Sequence, residues 1–275
     1  MTMDISAMVA MAAAMIAAGL FGGVIAGLLG VGGGIVLVPV LDTALGMVGV
    51  DPGVRMHLAV ATSLATIIPT SLSSSRSHRA KGAVDEALIK RWGLAILIGS
   101  ISGALLAAHV KGAVLSAVFA TVAFVVALKM LLPLDGFTLA KREPQGLPGQ
   151  VVPLAVGATS SMMGIGGGTL SVPILTLCSW PIHRAVGTAS LFGLLISIPG
   201  TIGYVIGGFG DQRLPFGSVG YVSLIGFALI APSTWIAAPW GAALAHRLSK
   251  RQLGMAFGGF LLIVSLRMAW RVFMG

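Results

Sequence analysis

One ten-residue motif occurs twice in this chain and limits what the chain can fold into. The first copy runs from Gly30 to Pro39 and the second from Gly164 to Pro173, so the offset is 134 (164 − 30 = 134). Each copy has four glycines in five residues, and a glycine costs about 1 kcal/mol relative to alanine inside a helix. The motif therefore predicts two pairs of half-helices, each pair joined by unwound backbone.

The sequence around the two motifs is strongly apolar. Hydrophobic residues make up 56% of the 275 residues, charged residues make up 9%, and the mean hydropathy is +1.00, whereas a soluble domain carries about 25% charged residues. This composition predicts a polytopic membrane protein. Inside a membrane, unwound backbone is tolerated only where protein or a water-filled cavity covers it. Paired interruptions at matching positions of two halves are typical of the substrate site of a transporter.

Apolar segments of membrane-spanning length divide the chain into two similar halves. We predict an all-α polytopic membrane protein with two homologous four-element halves, about eight membrane helices in all, whose first and fifth elements are broken at the glycine-rich loops. Residues 1–133 form the first repeat, 134–149 a polar linker and 150–275 the second repeat. The elements are expected at Ala7–Leu29 with Ile35–Val48, His57–Ser75, Trp92–His109 after an amphipathic Ala83–Arg91, Ala113–Leu132, Val151–Met163 with Thr169–Leu177, His183–Gly208, Phe216–Ala245 and Gln252–Phe273.

The net charge is +9 and the basic residues are clustered. Basic clusters gather on cytoplasmic loops, so we attribute them to topology and lipid headgroups, not to nucleic acid. The repeats are parallel if the broken segments cross the membrane and inverted if they are re-entrant, and the charge distribution favours the inverted arrangement. The expected location is a bacterial inner (cell) membrane, with several passes through the bilayer, and a homo-oligomer is left open.

The two motifs also carry a family resemblance. Each Gly-x-Gly-Gly-Gly-x-x-x-x-Pro is followed by His-x-Ala-Val-x-Thr, at His57–Thr62 and at His183–Thr188. This pairing resembles the sulfite exporter TauE/SafE family, also called the 4-toluene sulfonate uptake permease family, over nearly the whole chain. The resemblance implies an integral-membrane permease for sulfur-containing anions such as sulfite, sulfoacetate and other organosulfonates, without specifying one. One difference between the copies is Ser63, which becomes Ala189.

The unwound glycines predict where a substrate would bind. Their N–H groups, together with the positive end of the half-helix that follows, can bind an oxyanion without a formal positive charge. The glycines could instead serve close helix packing, and nearby hydroxyls, Ser160 included, could bond to their own helix. The predicted substrate-binding residues are Gly30, Gly32, Gly33, Gly34, Thr62, Ser63, Ser161, Gly164, Gly166, Gly167, Gly168, Thr169, Thr188 and Ser190.

His57 and His183 stand at matching places and are candidates for proton handling, because the pKa of an imidazole lies near neutrality. Both could equally cap a helix or lie in the membrane interface. The single cysteine, Cys178, is predicted to be a small core hydrophobe.

The remaining charges are predicted to be peripheral. Asp42, Asp51 and Arg55 are expected to be solvated loop charges, and Lys129 and Arg267 are expected near span ends, where long side chains reach the headgroups. With no carboxylate at mid-span, the coupling ion stays open.

Two other functions compete with anion transport. A permease for a metal cation or other small solute is the first; a cation could use loop carbonyls and hydroxyls, but no His, Cys or Asp cluster of ligand spacing lies in a span. An intramembrane hydrolase could use Ser190 and His246, but the flanking residues show no nucleophile elbow, so this is the least favoured reading. Neither an enzymatic activity nor a cofactor is predicted.

Overall fold

The architecture comes from a computed structural model, which describes residues 5–29, 33–132, 140, 143–245 and 250–274. The helices are α1 (Ile5–Leu29), α2 (Gly34–Met47), α3 (Pro52–Ala80), α4 (Glu86–His109), α5 (Gly112–Leu131), α6 (Pro148–Met163), α7 (Gly168–Leu177), α8 (Ile182–Gly207), α9 (Leu224–Ala245) and α10 (Lys250–Met274). Two short antiparallel strands, β1 (Ser218–Val219) and β2 (Val222–Ser223), precede α9. The all-α prediction is confirmed, and α3, α4, α5 and α8 are each long and apolar enough to cross a membrane.

Two predicted boundaries are wrong for local reasons. Asp85 caps α4 by accepting the N–H of Leu88 at 2.8 Å, which favours a helix start at this point, so Glu86–His109 is one helix without a separate amphipathic segment. The seventh span does not begin at Phe216, because Gly217 and Gly220 have φ angles of 79° and 51°. A right-handed helix cannot contain these conformations, so α9 begins only after the two strands.

The two repeats are inverted with respect to each other. Along α3 and α8, Leu64 contacts Gly200 while Ser71 contacts Gly193, so the two helices run antiparallel. Gly193 also lies against Ile67, its own equivalent at the offset that relates the two histidines (57 + 126 = 183 and 67 + 126 = 193). Equivalent helices that cross antiparallel at equivalent residues define a pseudo-twofold axis perpendicular to both, as in inverted-repeat transporters.

Charged residues mark two ends of the helix bundle. We call the end where α3 finishes and α4 and α8 begin the basic face; it carries Arg79, Lys81, Lys90, Arg91 and Arg184, two of which pair with Glu86 and Asp85. We call the end where α3 and α5 begin the opposite face; it carries Asp51, Lys111, Asp211 and Arg213, and here Gly112 and Arg213 both approach Gly53.

The α6–α7 pair enters and leaves at the basic face. Glu143 precedes α6 and Trp180 follows α7, and the indole N–H of Trp180 donates to Glu143 at 3.1 Å. The two helices have 16 and 10 residues, which correspond to about 24 and 15 Å at about 1.5 Å per residue. Because its ends lie together, this element is a re-entrant hairpin and does not cross the bundle.

The α1–α2 pair forms the equivalent hairpin from the opposite face. α2 folds back along α1, so that a Cβ on Gly22 would lie 2.9 Å from Leu37. α1 runs parallel to α9, with Gly19 against Ile230 and Gly23 against Thr234, and α9 begins at the opposite face. The hairpins are exchanged between repeats: α1 packs on α9 of the second repeat and α6 packs on α4 of the first.

Candidate functional site

The two glycine breaks meet near the centre of the molecule. A Cβ on Gly34 would lie 2.5 Å from the carbonyl oxygen of Gly164 and 2.8 Å from Ile67, the residue that also lies against Gly193. The hydroxyl of Ser63 donates to that same carbonyl oxygen at 2.7 Å. The breaks are therefore packed backbone against backbone, and glycine is required there by the closeness of the contact as well as by any ligand.

Glycine is also required at two of these positions by conformation. Gly164 ends α6 with φ 69° and ψ 30°, and Gly33 precedes α2 with φ 69° and ψ −9°. Both lie in the left-handed region, which residues with a Cβ rarely occupy. Gly30 and Gly32 lie outside the described residues.

Several hydrogen-bond donors at the second break have no acceptor among the residues that the structure describes. Within the described part of the chain, the N–H groups of Gly166, Gly167 and Gly168 have no backbone acceptor, although all three residues are buried. Four hydroxyls within about one helical turn of this break are also buried and, among the described residues, unpaired: Ser160, Ser161, Thr169 and Ser171. Buried polar groups are nearly always paired in folded proteins, so this surplus of donors is a candidate binding site.

Three other predicted hydroxyls already have partners. Thr62 accepts the N–H of Ser223 at 2.9 Å, and Thr188 accepts the N–H of Asp85 at 2.9 Å. These two bonds are equivalent. Thr62 of the first repeat holds the start of α9 in the second, and Thr188 of the second repeat holds the start of α4 in the first. Ser190 donates to the carbonyl of Gly187 in its own helix at 2.6 Å.

Ser171 was not among the predicted site residues. The signal for it lies inside the motif itself, because the second copy reads Thr169-Leu170-Ser171 where the first reads Ile35-Val36-Leu37. A comparison of the two copies residue by residue would have shown that only the second has hydroxyls after its last glycine.

The two candidate proton-handling histidines have different environments. His57 is 3% exposed, and its Nε2 lies 3.0 Å from the carbonyl oxygens of Ala107 and Val110. Both neighbours are acceptors, so Nε2 carries a proton, whereas the buried Nδ1 has no partner among the described residues. His183 is exposed at the basic face.

The charges predicted to be peripheral are more closely packed than expected. Asp42 lies inside α2, is 7% exposed, and accepts from Arg55 at 3.0 Å, so its assignment to a solvated loop is wrong: Arg55, one helix later, covers it. The Lys129 ammonium donates to the carbonyl of Pro173 at 2.9 Å, so it binds the returning half-helix instead of reaching the headgroups. Arg267 lines a small pocket with Pro39 and Asp42. Pro39 is the equivalent of Pro173 in the first motif, so Arg267 stands near the same motif position in the other hairpin.

The described residues give less support to the two alternative functions, a metal-cation permease and an intramembrane hydrolase. Among the described residues, no three His, Cys, Asp or Glu side chains come together, so a metal-cation permease would have no such ligand set there. Of the pair proposed for a hydrolase, Ser190 is bonded within its helix and His246 lies outside the described residues.

Comparison with known proteins identifies the family. The family model of the sulfite exporter TauE/SafE matches residues 15–268. A "Probable membrane transporter protein" of Haemophilus influenzae is 29% identical over 250 residues, which cover 91% of this chain and 95% of that protein. The "Probable membrane transporter protein YunE" of Bacillus subtilis is 25% identical, with coverage of 93% and 96%, and MJ0441 of Methanocaldococcus jannaschii is 26% identical, with coverage of 92% and 94%. No solved structure matches the chain. The chain thus belongs to the sulfite exporter TauE/SafE family of membrane transporters, as its paired glycine motifs predicted.

Proposed function

We propose that this transporter is a permease for a small sulfur-containing anion, such as sulfite, sulfoacetate or another organosulfonate, which binds at the second break. The observation that supports this is the surplus of buried donors there, three N–H groups and four hydroxyls. Neither α6 nor α7 contains an Asp or a Glu, and α7 directs its positive helix end at the break. A sulfonate or sulfite offers several acceptor oxygens and negative charge, whereas a metal cation would favour carboxylate, imidazole or thiolate ligands, which neither helix contains.

The inverted hairpins suggest how the anion would cross. They enter from opposite faces and touch at their breaks, so the arrangement described is closed in the middle. Withdrawing one hairpin from the other would expose the second break to one face at a time, which is alternating access around a fixed site. This transport needs no covalent step, and we place the protein in the bacterial cell membrane with the basic face towards the cytoplasm.

The test compares two threonines of the same half-helix. The Thr169 hydroxyl has no partner in the described part of the chain, whereas the Thr176 hydroxyl donates to Pro173 at 2.9 Å within its own helix. A hydrogen bond to a charged group contributes about 1.5–3 kcal/mol, so Thr169→Val should weaken sulfonate binding to purified protein by about tenfold to a hundredfold. Thr176→Val should leave it unchanged. The thermal unfolding midpoint of Thr169→Val should not fall, because no bond in the free protein is lost.

Equal sulfonate binding by the two valine variants would show that the anion does not bind at this break. Thr169→Asp then separates the two transport hypotheses, because a carboxylate here should repel an anion. If that variant kept its sulfonate binding and gained binding of divalent cations, the cation permease would be the better account. Flux of sulfite and of sulfonates into proteoliposomes supplies the transport measurement itself.

A further inference from the structure

A pocket of about 400 Å³ opens at the basic face, beside the two ends of the α6–α7 hairpin. Its lining includes Arg91, Glu143, Cys178, Ser179, Trp180 and Arg184. Two guanidinium groups and one carboxylate therefore face this space, and a second carboxylate, Asp85, pairs with Arg184 from beside it. It is separate from the second break, which lies at the inner end of the hairpin.

Glu143 fixes one wall of the pocket. It forms an ion pair with Arg91 and accepts the indole N–H of Trp180 at 3.1 Å. Burial alone would raise the pKa of Glu143, but the bonds from its own N–H, from Trp180 and from Arg91, together with the charge of Arg91, lower that pKa overall. Glu143 is thus ionised at neutral pH and holds Arg91 and Trp180 in place.

Arg184 is the cation with spare donors. Its guanidinium carbon lies 5.7 Å from the centre of the Trp180 ring, and 54% of its side chain is exposed. Among the described residues its guanidinium makes one hydrogen bond, to Asp85 at 2.8 Å, although a guanidinium carries five N–H donors. The guanidinium lies over the ring, so its remaining donors and the aromatic surface line the same pocket.

We propose that this pocket is a docking site for an organosulfonate that approaches from the basic face. The sulfonate oxygens accept N–H bonds from Arg184 and Arg91, and the organic group packs on the ring of Trp180. The site feeds the second break, since α7, about 15 Å long, joins the rim at Cys178 to that break. This inference rests on the proposed anion transport and narrows its substrate to an anion with an organic part.

The equivalent positions of the first repeat carry different residues. The motif offset places Ala44 and Gly46 where the second repeat has Cys178 and Trp180 (178 − 134 = 44; 180 − 134 = 46). A Cβ on Gly46 would lie 2.9 Å from the guanidinium of Arg55, which pairs with Asp42. The docking site is therefore a property of one face, and it gives the transporter a preferred side for loading this substrate.

The native thiol of Cys178 can report on this pocket directly. We suggest labelling purified wild-type protein with two methanethiosulfonates of similar size, one bearing a sulfonate and one a quaternary ammonium group. The thiolate attacks the sulfenyl sulfur, a mixed disulfide forms and methanesulfinate leaves. Burial, and next the charge of Glu143, raise the pKa of Cys178, so labelling is run at mildly alkaline pH, where more thiolate is present.

After normalisation to a free thiol in solution, the sulfonate reagent should react about tenfold faster than the ammonium reagent, the lower end of the usual range for charge steering. Arg184→Gln should abolish the preference. The control is Arg213→Gln, which removes an exposed, aspartate-paired arginine at the opposite face and should leave it intact. Ethanesulfonate should protect the thiol, and it replaces sulfite here because sulfite cleaves disulfides.

Equal rates for the two reagents, or equal effects of the two arginine variants, would overturn the docking site. If burial prevents reaction, Ser179→Cys in a Cys178→Ala background places the thiol on the exposed rim and decides the question. Labelling does not need transport, so the two proposals fail separately. Anion preference without sulfonate flux would refute the permease, and sulfonate flux without anion preference would refute the pocket.

Discussion

The two breaks occupy equivalent places but differ in chemistry. Around the second break are Ser160, Ser161, Thr169 and Ser171, and at an offset of 134 the first break has Ala26, Gly27, Ile35 and Leu37. The backbones differ too, because Gly33 has φ 69° whereas its equivalent Gly167 has φ −56°. The packing of one hairpin against the other is common to both breaks, while the four hydroxyls are present in one copy only.

The two equivalent histidines, which lie at opposite ends of the bundle, also differ between the repeats, and here the first repeat has the buried polar group. The first repeat buries His57 under Tyr204 and Tyr221, with ring centres 6.5 and 4.8 Å away, and the second repeat exposes His183. We therefore infer that the second repeat supplies the anion site and the first supplies the proton-handling group. Substrate and coupling-ion sites of inverted-repeat transporters lie where the repeats meet, so the two halves can contribute different chemical groups.

The largest expected effect tests the inversion on which this comparison depends. Lys81 lies in the turn between α3 and α4, and Gln212 lies in the equivalent loop between α8 and α9; both are exposed. In a Cys178→Ala background, Lys81→Cys and Gln212→Cys should react with a membrane-impermeant maleimide from opposite sides of the membrane. Labelling of both from the same side would mean parallel repeats and would invalidate the pseudo-twofold axis.

The next prediction concerns the contact between the breaks. Gly34→Ala places a methyl group 2.5 Å from a backbone oxygen that no side-chain rotation can move, and overpacking of this kind costs about 1–3 kcal/mol. We expect flux in proteoliposomes to be lost and the unfolding midpoint to fall. Gly259→Ala is the control, because nothing lies within 4 Å of that position, and alanine there should stabilise the helix by up to about 1 kcal/mol. A Gly34→Ala protein that transported normally would show that the breaks are not held in contact during transport.

A smaller effect is expected from the two histidines. His57→Gln keeps an N–H donor for Ala107 and Val110 but removes the titration, so the pH dependence of flux between about 5 and 8 should flatten. His183→Gln and His109→Gln should keep the wild-type profile. If His57→Gln also kept it, the proton would be bound elsewhere.

Several other charged and titratable groups lie around His57 and have to be considered in this test. Those facing it or near it from the neighbouring elements are Tyr204, Tyr221, Asp211, Arg213, Asp51, Arg55, His109 and Lys111. The bond from Arg213 lowers the pKa of Asp211 to about 2, so Asp211 stays ionised throughout. Burial, and then the charge of Asp211, raise the pKa of Tyr221, so this phenol stays neutral. The other imidazole in this set is that of His109, and the His109→Gln variant tests its contribution to the pH dependence separately.

The sequence was sufficient to predict the local features. Clustered glycines break a helix wherever they stand, so α2 and α7 begin at Gly34 and Gly168, one residue before their predicted starts. What depends on distant contacts could not be predicted. The burial of Asp42 requires Arg55 of the next helix, and the hydroxyls of Thr62 and Thr188 are occupied by helix starts in the opposite repeat. The free donors of the second break are visible only once those partners are known.

The smallest expected effect comes from Ser63, which has no counterpart because position 189 is alanine. Its bond to Gly164 fastens the second break to α3, so Ser63→Ala should cost about 1 kcal/mol of stability, the usual contribution of one hydrogen bond. The local consequence is sharper: hydrogen–deuterium exchange should accelerate in residues 160–171 and stay unchanged in residues 26–37, since Ala189 provides no such bond at the first break. Ser102→Ala, which removes a hydroxyl bonded within its own helix, should change neither segment. Equal acceleration in both segments would show that Ser63 supports the whole bundle, and the two breaks would then open together instead of being held by different bonds.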